Sequence, residues 1–311
     1  MKRAILIAAV LCAGPVCRAQ TIEPSATYLF AQRDTCSLYL DVYEPAEGSV
    51  TTVDGQAKPT ILFVFGGGFI TGRRDSPRYL SWFRRYTEDG YRVVSIDYRL
   101  GLKGMGRIGL REIPLVHNAV EIGVEDAYSA TLFLIENAST LGVDPSGIVL
   151  SGSSAGAMIS LQAEWHLCNR TPLAQVLPED FRYAGVMSFA GAVFSREGKA
   201  RFNREPDPVL FMHGTADKVV PYRQTWFFRN RFAGSKILCR TFAKKGWNYN
   251  IYRFDGRRHE IADAFNETYD EQIRFLETNV VRRQKRIVDA TVDDPSIFRS
   301  TLTTKALYSK N

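Results

Sequence analysis

Between residues 37 and 280 the sequence switches repeatedly between two periodicities, and this alternation constrains the chain more than any other feature. Short runs of β-branched and aromatic residues give way to stretches whose apolar positions fall at helical spacing. Parallel strands need long return connections, so such alternation implies a mostly parallel sheet joined by crossover helices. Residues 38–43 alternate strictly and read as an early edge strand. Residues 60–65, 91–98, 148–150, 186–193, 209–213 and 250–254 read as further strands. Helices are expected over 119–138, 157–167, 221–231 and 261–280. A Gly-rich loop over 101–118 is expected to wall a pocket with Met105, Ile108 and Leu115. No internal repeat and no Pro/Ser/Gly-rich linker divides the chain. The fold class is therefore α/β, a mostly parallel central sheet wrapped by helices in one domain over 20–280, with 281–311 an extension of no assigned role.

Composition supports a globular reading, since 45% of the 311 residues are hydrophobic and 12% aromatic, too apolar for a disordered chain. The start is different. Met1-Lys2-Arg3, a short apolar run and the small residue Ala19 together read as a signal peptide over 1–19, too short to span a bilayer. The expected location is secreted or periplasmic. No later segment is long and apolar enough for a membrane span. Net charge is +7, and Lys2, Arg3 and Arg18 fall in the expected leader. Arg282, Arg283, Lys285 and Arg286 read as a solvated face rather than a nucleic-acid site. Beyond the leader three cysteines remain, Cys36, Cys168 and Cys239, which allow at most one intrachain disulfide and leave its pairing open. Their spacing fits no zinc pattern, and no cofactor is expected.

The chemistry concentrates in Gly152-Ser153-Ser154-Ala155-Gly156, a G-x-S-x-G run with an apolar strand before it and a helix after it. In that context the central serine is set on a sharp turn, which makes Ser154 the candidate nucleophile. A serine hydroxyl needs a base and a group to orient that base. Of four histidines, His117 is read in the Gly-rich loop, His166 lies about three turns along the next helix, and His213 ends a strand beside a glycine. His259, on the loop between the last strand and the last helix, completes the order Ser…Asp…His and is the candidate base. Asp217, in the loop after strand 209–213, is the candidate acid. Its rivals are Asp207, before that strand and so at the wrong end of the sheet, and Asp255, close to His259 in sequence. Oxyanion donors are expected from the amide of Ala155 and from Gly66-Gly67-Gly68, where missing side chains let a substrate oxygen approach the main chain.

Together these residues resemble the α/β-hydrolase superfamily, near its carboxylesterase and hormone-sensitive-lipase-like branch. The matching stretches are Leu40 to Pro45, Phe65 to Phe69, Val94 to Leu100, Gly152 to Gly156, His213 to Pro221, and His259. The resemblance implies Gly67, Gly68 and Ala155 as the oxyanion donors. It also implies hydrolysis of carboxylic esters through an acyl-enzyme. Phe65 departs from the histidine that usually opens the glycine loop. Little chain is left for a lid domain, so the sequence is similar to single-domain esterases acting on small-molecule or polysaccharide-linked acetyl or feruloyl esters. A prolyl-oligopeptidase-like peptidase and a hydrolase-fold binding protein without catalysis are the alternatives. The sequence does not set the oligomeric state.

Overall fold

The computed structural model describes residues 22–105, 112–196, 198–227, 230–293, 295 and 297; the expected leader and Ile108 lie outside them. Two short antiparallel strands open the described residues, β1 (Ala26–Gln32) and β2 (Ser37–Tyr43), followed by a small hairpin of β3 (Thr52–Val53) and β4 (Gln56–Ala57). β5 (Thr60–Val64) is buried at every position, as a strand covered on both faces must be. Helix α1 (Pro77–Glu88) starts with proline at its first turn and buries Tyr79, Trp82, Phe83 and Tyr86, one stripe at i, i+3, i+4 and i+7. That stripe meets Phe63 of β5 edge-on, with ring centroids 4.8 to 5.4 Å apart, the favoured geometry for aromatic pairs.

The chain continues through β6 (Arg92–Ile96), α2 (Ile113–Glu136), the single turn α3 (Ala138–Leu141), β7 (Ile148–Ser153) and α4 (Ala155–Asn169). β8 (Gly185–Phe189), β9 (Ala192–Ser195), β10 (Val209–Gly214), β11 (Gln224–Phe227) and β12 (Asn230–Gly234) follow. The described chain closes with α5 (Ser235–Lys245), β13 (Tyr249–Phe254), a 3-10 turn at His259–Asp263, α6 (Tyr269–Phe275) running into a π-helical turn, and β14 (Val288–Val292). Nine strands form one sheet in the order β1-β2-β6-β5-β7-β8-β10-β13-β14. From β6 to β14 it is parallel throughout; only β2 runs against it, antiparallel to both β6 and β1. The order reverses at β5. Its carboxyl end and that of β7 therefore bound a crevice that no crossover helix fills, where α/β sheets hold their ligands.

Several expectations need correction. Strand 38–43 is not the edge, because β1 pairs outside it. Helix α2 starts at Ile113, within the segment read as loop, so His117 is helical. Residues 221–231 are not a helix. They contribute β11 and part of β12, and with β9 these make a separate three-stranded antiparallel sheet. The strand expected over 186–193 is two strands in two sheets. The long helix expected over 261–280 is broken into 3-10, α and π segments. Beyond residue 280, β14 pairs in parallel with β13, so the main sheet continues into the supposed extension. Cys36, Cys168 and Cys239 are all free. Among the described residues no helix is long and apolar enough to cross a membrane.

Candidate active site

Ser154 sits between β7 and α4 with φ 50° and ψ −111°, a conformation that side-chain-bearing residues adopt only where the surroundings enforce it. The enforcement comes from its flanks. A Cβ on Gly152 would lie 2.3 Å from the backbone of Gly156, and one on Gly156 would lie 2.0 Å from the carbonyl oxygen of Val64. Neither position accepts a side chain. The amide of Ser154 donates to the Phe189 carbonyl at the end of β8, and the Ser153 hydroxyl donates to the Ala262 carbonyl. Thus the elbow is tied to the 3-10 turn that carries His259.

Three expected residues meet here. Ser154 Oγ lies 2.8 Å from His259 Nε2, and His259 Nδ1 lies 2.7 Å from Asp217 Oδ2. An ionised carboxylate only accepts, so Nδ1 carries the ring proton and Nε2 is left to accept from the serine hydroxyl. The other carboxylate oxygen of Asp217 accepts the amides of Val219 and Val220 at 2.8 and 3.1 Å. Burial disfavours the charge of Asp217, yet hydrogen bonds from His213 and His259 outweigh it and hold the carboxyl well below the usual range. The loops bearing acid and base are clamped together: Ala216 N donates to the Arg257 carbonyl, while the Thr215 hydroxyl donates to Asp255 and accepts from Gly256 N. Asp255 therefore braces this clamp and does not reach the imidazole's carboxylate position. Asp207 lies two residues before β10, at the far end of the sheet, as expected.

His213 ends β10 beside Gly214, and the structure gives it more to do than close a strand. Fully buried, it brings Nε2 to 3.4 Å from Asp217 Oδ2 and 3.2 Å from the Val220 carbonyl, while Nδ1 lies 2.7 Å from the Ser235 hydroxyl. Both neighbours of Nε2 are acceptors, so that nitrogen holds the proton and Nδ1 accepts from Ser235. Its spacing of four residues from Asp217 was the available signal. His117, early in α2, and His166, near the end of α4, instead flank Glu121; burial pushes His117 down to about 4 against the opposing pull of Glu121.

The glycine loop is held without its usual histidine. Phe65 stacks on Tyr98 with centroids 4.4 Å apart, and the Tyr98 hydroxyl donates to the Phe65 carbonyl. The Gly66 amide donates to Tyr79 Oη at 3.0 Å, and Arg78 donates to the Gly66 carbonyl and to the same tyrosine oxygen. Gly68 and Ala155 line the pocket with Ser154. Gly67 is not among its lining residues; its carbonyl accepts the amides of Ile70 and Thr71. The pocket has a volume of about 550 Å³ and is walled on its apolar side by Phe69, Ile113, Val116, Met158 and Phe232. Of the wall expected over 101–118, Ile113 and Val116, on the first turns of α2, are the described residues that take part; Leu115 faces solvent. Among the described residues no group of three His, Cys, Asp or Glu side chains could hold a metal ion.

Comparison with known proteins agrees with this architecture. The BD-FAE family profile matches residues 40–171, and the phospholipase/carboxylesterase profile matches 115–244. Gut esterase 1 of Caenorhabditis briggsae is 36% identical over 99 residues, 32% of this chain and 17% of its own length. Phenmedipham hydrolase of Pseudarthrobacter oxydans is 28% identical over 148 residues, 44% of this chain and 26% of its own. The chain thus spans about a quarter or less of the length of these relatives. Propionate-bound esterase 2 of Thermogutta terrifontis superposes with a TM-score of 0.57 at 24% identity, over 81% of this chain and 93% of that one. By its sheet order and these matches the chain has the α/β-hydrolase fold and is similar to carboxylesterases.

Proposed function

We propose that the protein hydrolyses carboxylic esters through an acyl-enzyme, with Ser154 as nucleophile, His259 as general base and acid, and Asp217 as the group that orients and charges the imidazole. The observation that carries this reading is the unbroken hydrogen-bonded chain from Ser154 to Asp217 beside an apolar pocket. His259 Nε2 takes the hydroxyl proton as Oγ attacks the ester carbonyl, and Asp217 stabilises the imidazolium that forms. The amides of Ala155 and Gly68 receive the oxyanion, with Gly67 a third donor candidate. His259 then protonates the departing alcohol, and a water activated in the same way releases the acid. The pocket's volume suits short acyl groups and small or carbohydrate-linked alcohols. Export after cleavage near Ala19 belongs to the same reading, and N-terminal sequencing of exported protein tests it.

Ser154→Ala is expected to lower p-nitrophenyl acetate turnover by about 10⁴- to 10⁶-fold, and a fluorophosphonate probe is expected to label the parent protein but not the variant. Near-normal turnover in the variant overturns the assignment.

A further inference from the structure

The pocket wall combines two chemistries. Against the apolar side chains of Phe69, Ile113 and Met158 stands the segment 217–225, which brings Lys218 and Arg223 to the same cavity. Asp217 is the one carboxylate among the described lining residues, and both its oxygens are engaged, one by His259 and His213, the other by two amides. It offers nothing to Arg223. Arg223 is exposed to the solvent of the pocket mouth and makes no side-chain hydrogen bond or ion pair among the described residues. Further positive charge crowds behind it. The charge of Arg223, ahead of burial and of Arg240 and Arg253, holds the Lys236 ammonium below its ordinary value. Like charges tolerated this close, beside a cavity whose described lining residues offer no unengaged carboxylate, create a field that favours a negatively charged ligand.

We infer that the pocket selects esters that carry a carboxylate on the part of the molecule away from the scissile bond, and that Arg223 is the residue that pairs with it. A guanidinium offers a planar, two-pronged match to a carboxylate, while the apolar wall takes the rest of the substrate. The inference rests on the ester-hydrolase reading and deepens it. The chemistry of the bond is unchanged: water supplies the hydroxyl of the released acid, and the alcohol leaves with the proton from His259. The carboxylate acts through binding, so its effect falls on KM.

Two pairs of near-isosteric esters test this. In one the charge sits on the alcohol, 4-acetoxybenzoate against its methyl ester; in the other it sits on the acyl group, mono-p-nitrophenyl succinate against its methyl ester. Each kcat/KM is divided by the rate of alkaline hydrolysis of the same ester, which removes differences in intrinsic reactivity. At low ionic strength the anionic member of at least one pair is expected to be preferred about threefold to tenfold, and salt is expected to erode that preference. The pair that responds shows which side of the substrate faces Arg223. Arg223→Gln is expected to abolish the preference through KM while leaving kcat and the neutral esters unchanged. No anionic preference in either pair, or a preference that survives Arg223→Gln, overturns the inference while leaving the hydrolase reading intact. Failure of all four esters together with absent fluorophosphonate labelling overturns the hydrolase reading, and the inference with it.

Discussion

Asp207 and Asp217 flank the same strand and are buried to almost the same depth, 6% and 7% exposed, yet they are held in opposite directions. At the carboxyl end, His213 and His259 overcome the effect of burial and keep Asp217 ionised. At the amino end burial prevails. It raises Asp207 despite Arg182 and Arg204, and it raises Glu164, whose carboxyl gains a second push from Asp207 itself. Asp207 Oδ2 and Glu164 Oε2 have no hydrogen-bond partner among the described residues. A groove of about 830 Å³ lies at this end too, larger than the pocket beside Ser154. Neither depth nor volume therefore marks the chemistry. What marks it is a carboxylate whose partners preserve its charge and aim it at an imidazole.

The largest effect that could break this contrast is catalytic. Asp217→Asn is expected to lower kcat on p-nitrophenyl acetate by about 10⁴-fold, because the imidazole loses both its tautomer control and its counter-charge. Asp207→Asn is expected to leave kcat within about threefold of the parent; a comparable loss in both would erase the distinction.

Stability against pH sharpens it next, since the two ends should slope oppositely. Glu164 has a raised folded value, so its contribution is full below the ordinary glutamate range and declines as pH rises through the raised value. Glu164→Gln is expected to flatten that decline and to add about 1–3 kcal/mol on the alkaline side. Asp217 has a depressed folded value, so its contribution is full above the ordinary aspartate range and is lost as pH falls through the depressed one. Urea titrations from acid to alkaline pH report both slopes, and a parent protein with no alkaline decline would refute the reading of Glu164.

The smallest expected effect concerns His213. His213→Gln is expected to reduce kcat about tenfold, the cost of one hydrogen bond to a charged group, and to move the acid limb of the kcat profile upward as Asp217 loses one of its two histidines. A purely structural histidine would lower the melting temperature without moving that limb.

Sequence legibility followed the range of the interactions. The elbow at 152–156 was readable because its cause is local: two glycines leave the only room a strand-to-helix reversal has, and the residue between is exposed by that geometry. The carboxyl-end loops at 66–68 and 217 were readable because each directly follows an apolar strand. The hairpin β11–β12 was misread as a helix. Its runs are short and rich in aromatic and apolar residues that suit either period, and the choice fell to β9, some thirty residues earlier, whose Val193 and Phe194 pair with Ala233 and Phe232. β14 was missed for a similar reason, since its exposure alternates between partial and full and only β13 gives it a partner.

By itself the amino-acid order determined the parallel α/β class, the candidate nucleophile and the candidate succession Ser, Asp, His along the chain, all consequences of periodicity and short-range backbone sterics. Tertiary packing alone decided that Tyr79, Arg78 and Tyr98 hold a glycine loop lacking its histidine, that His213 turns toward Asp217, and that Arg223 shares a cavity with Ser154. Those relations join residues ten to seventy positions apart or more, or depend on which way a ring points, and no local pattern encodes either. Chain connectivity fixes which groups are available; the sheet order fixes which of them meet.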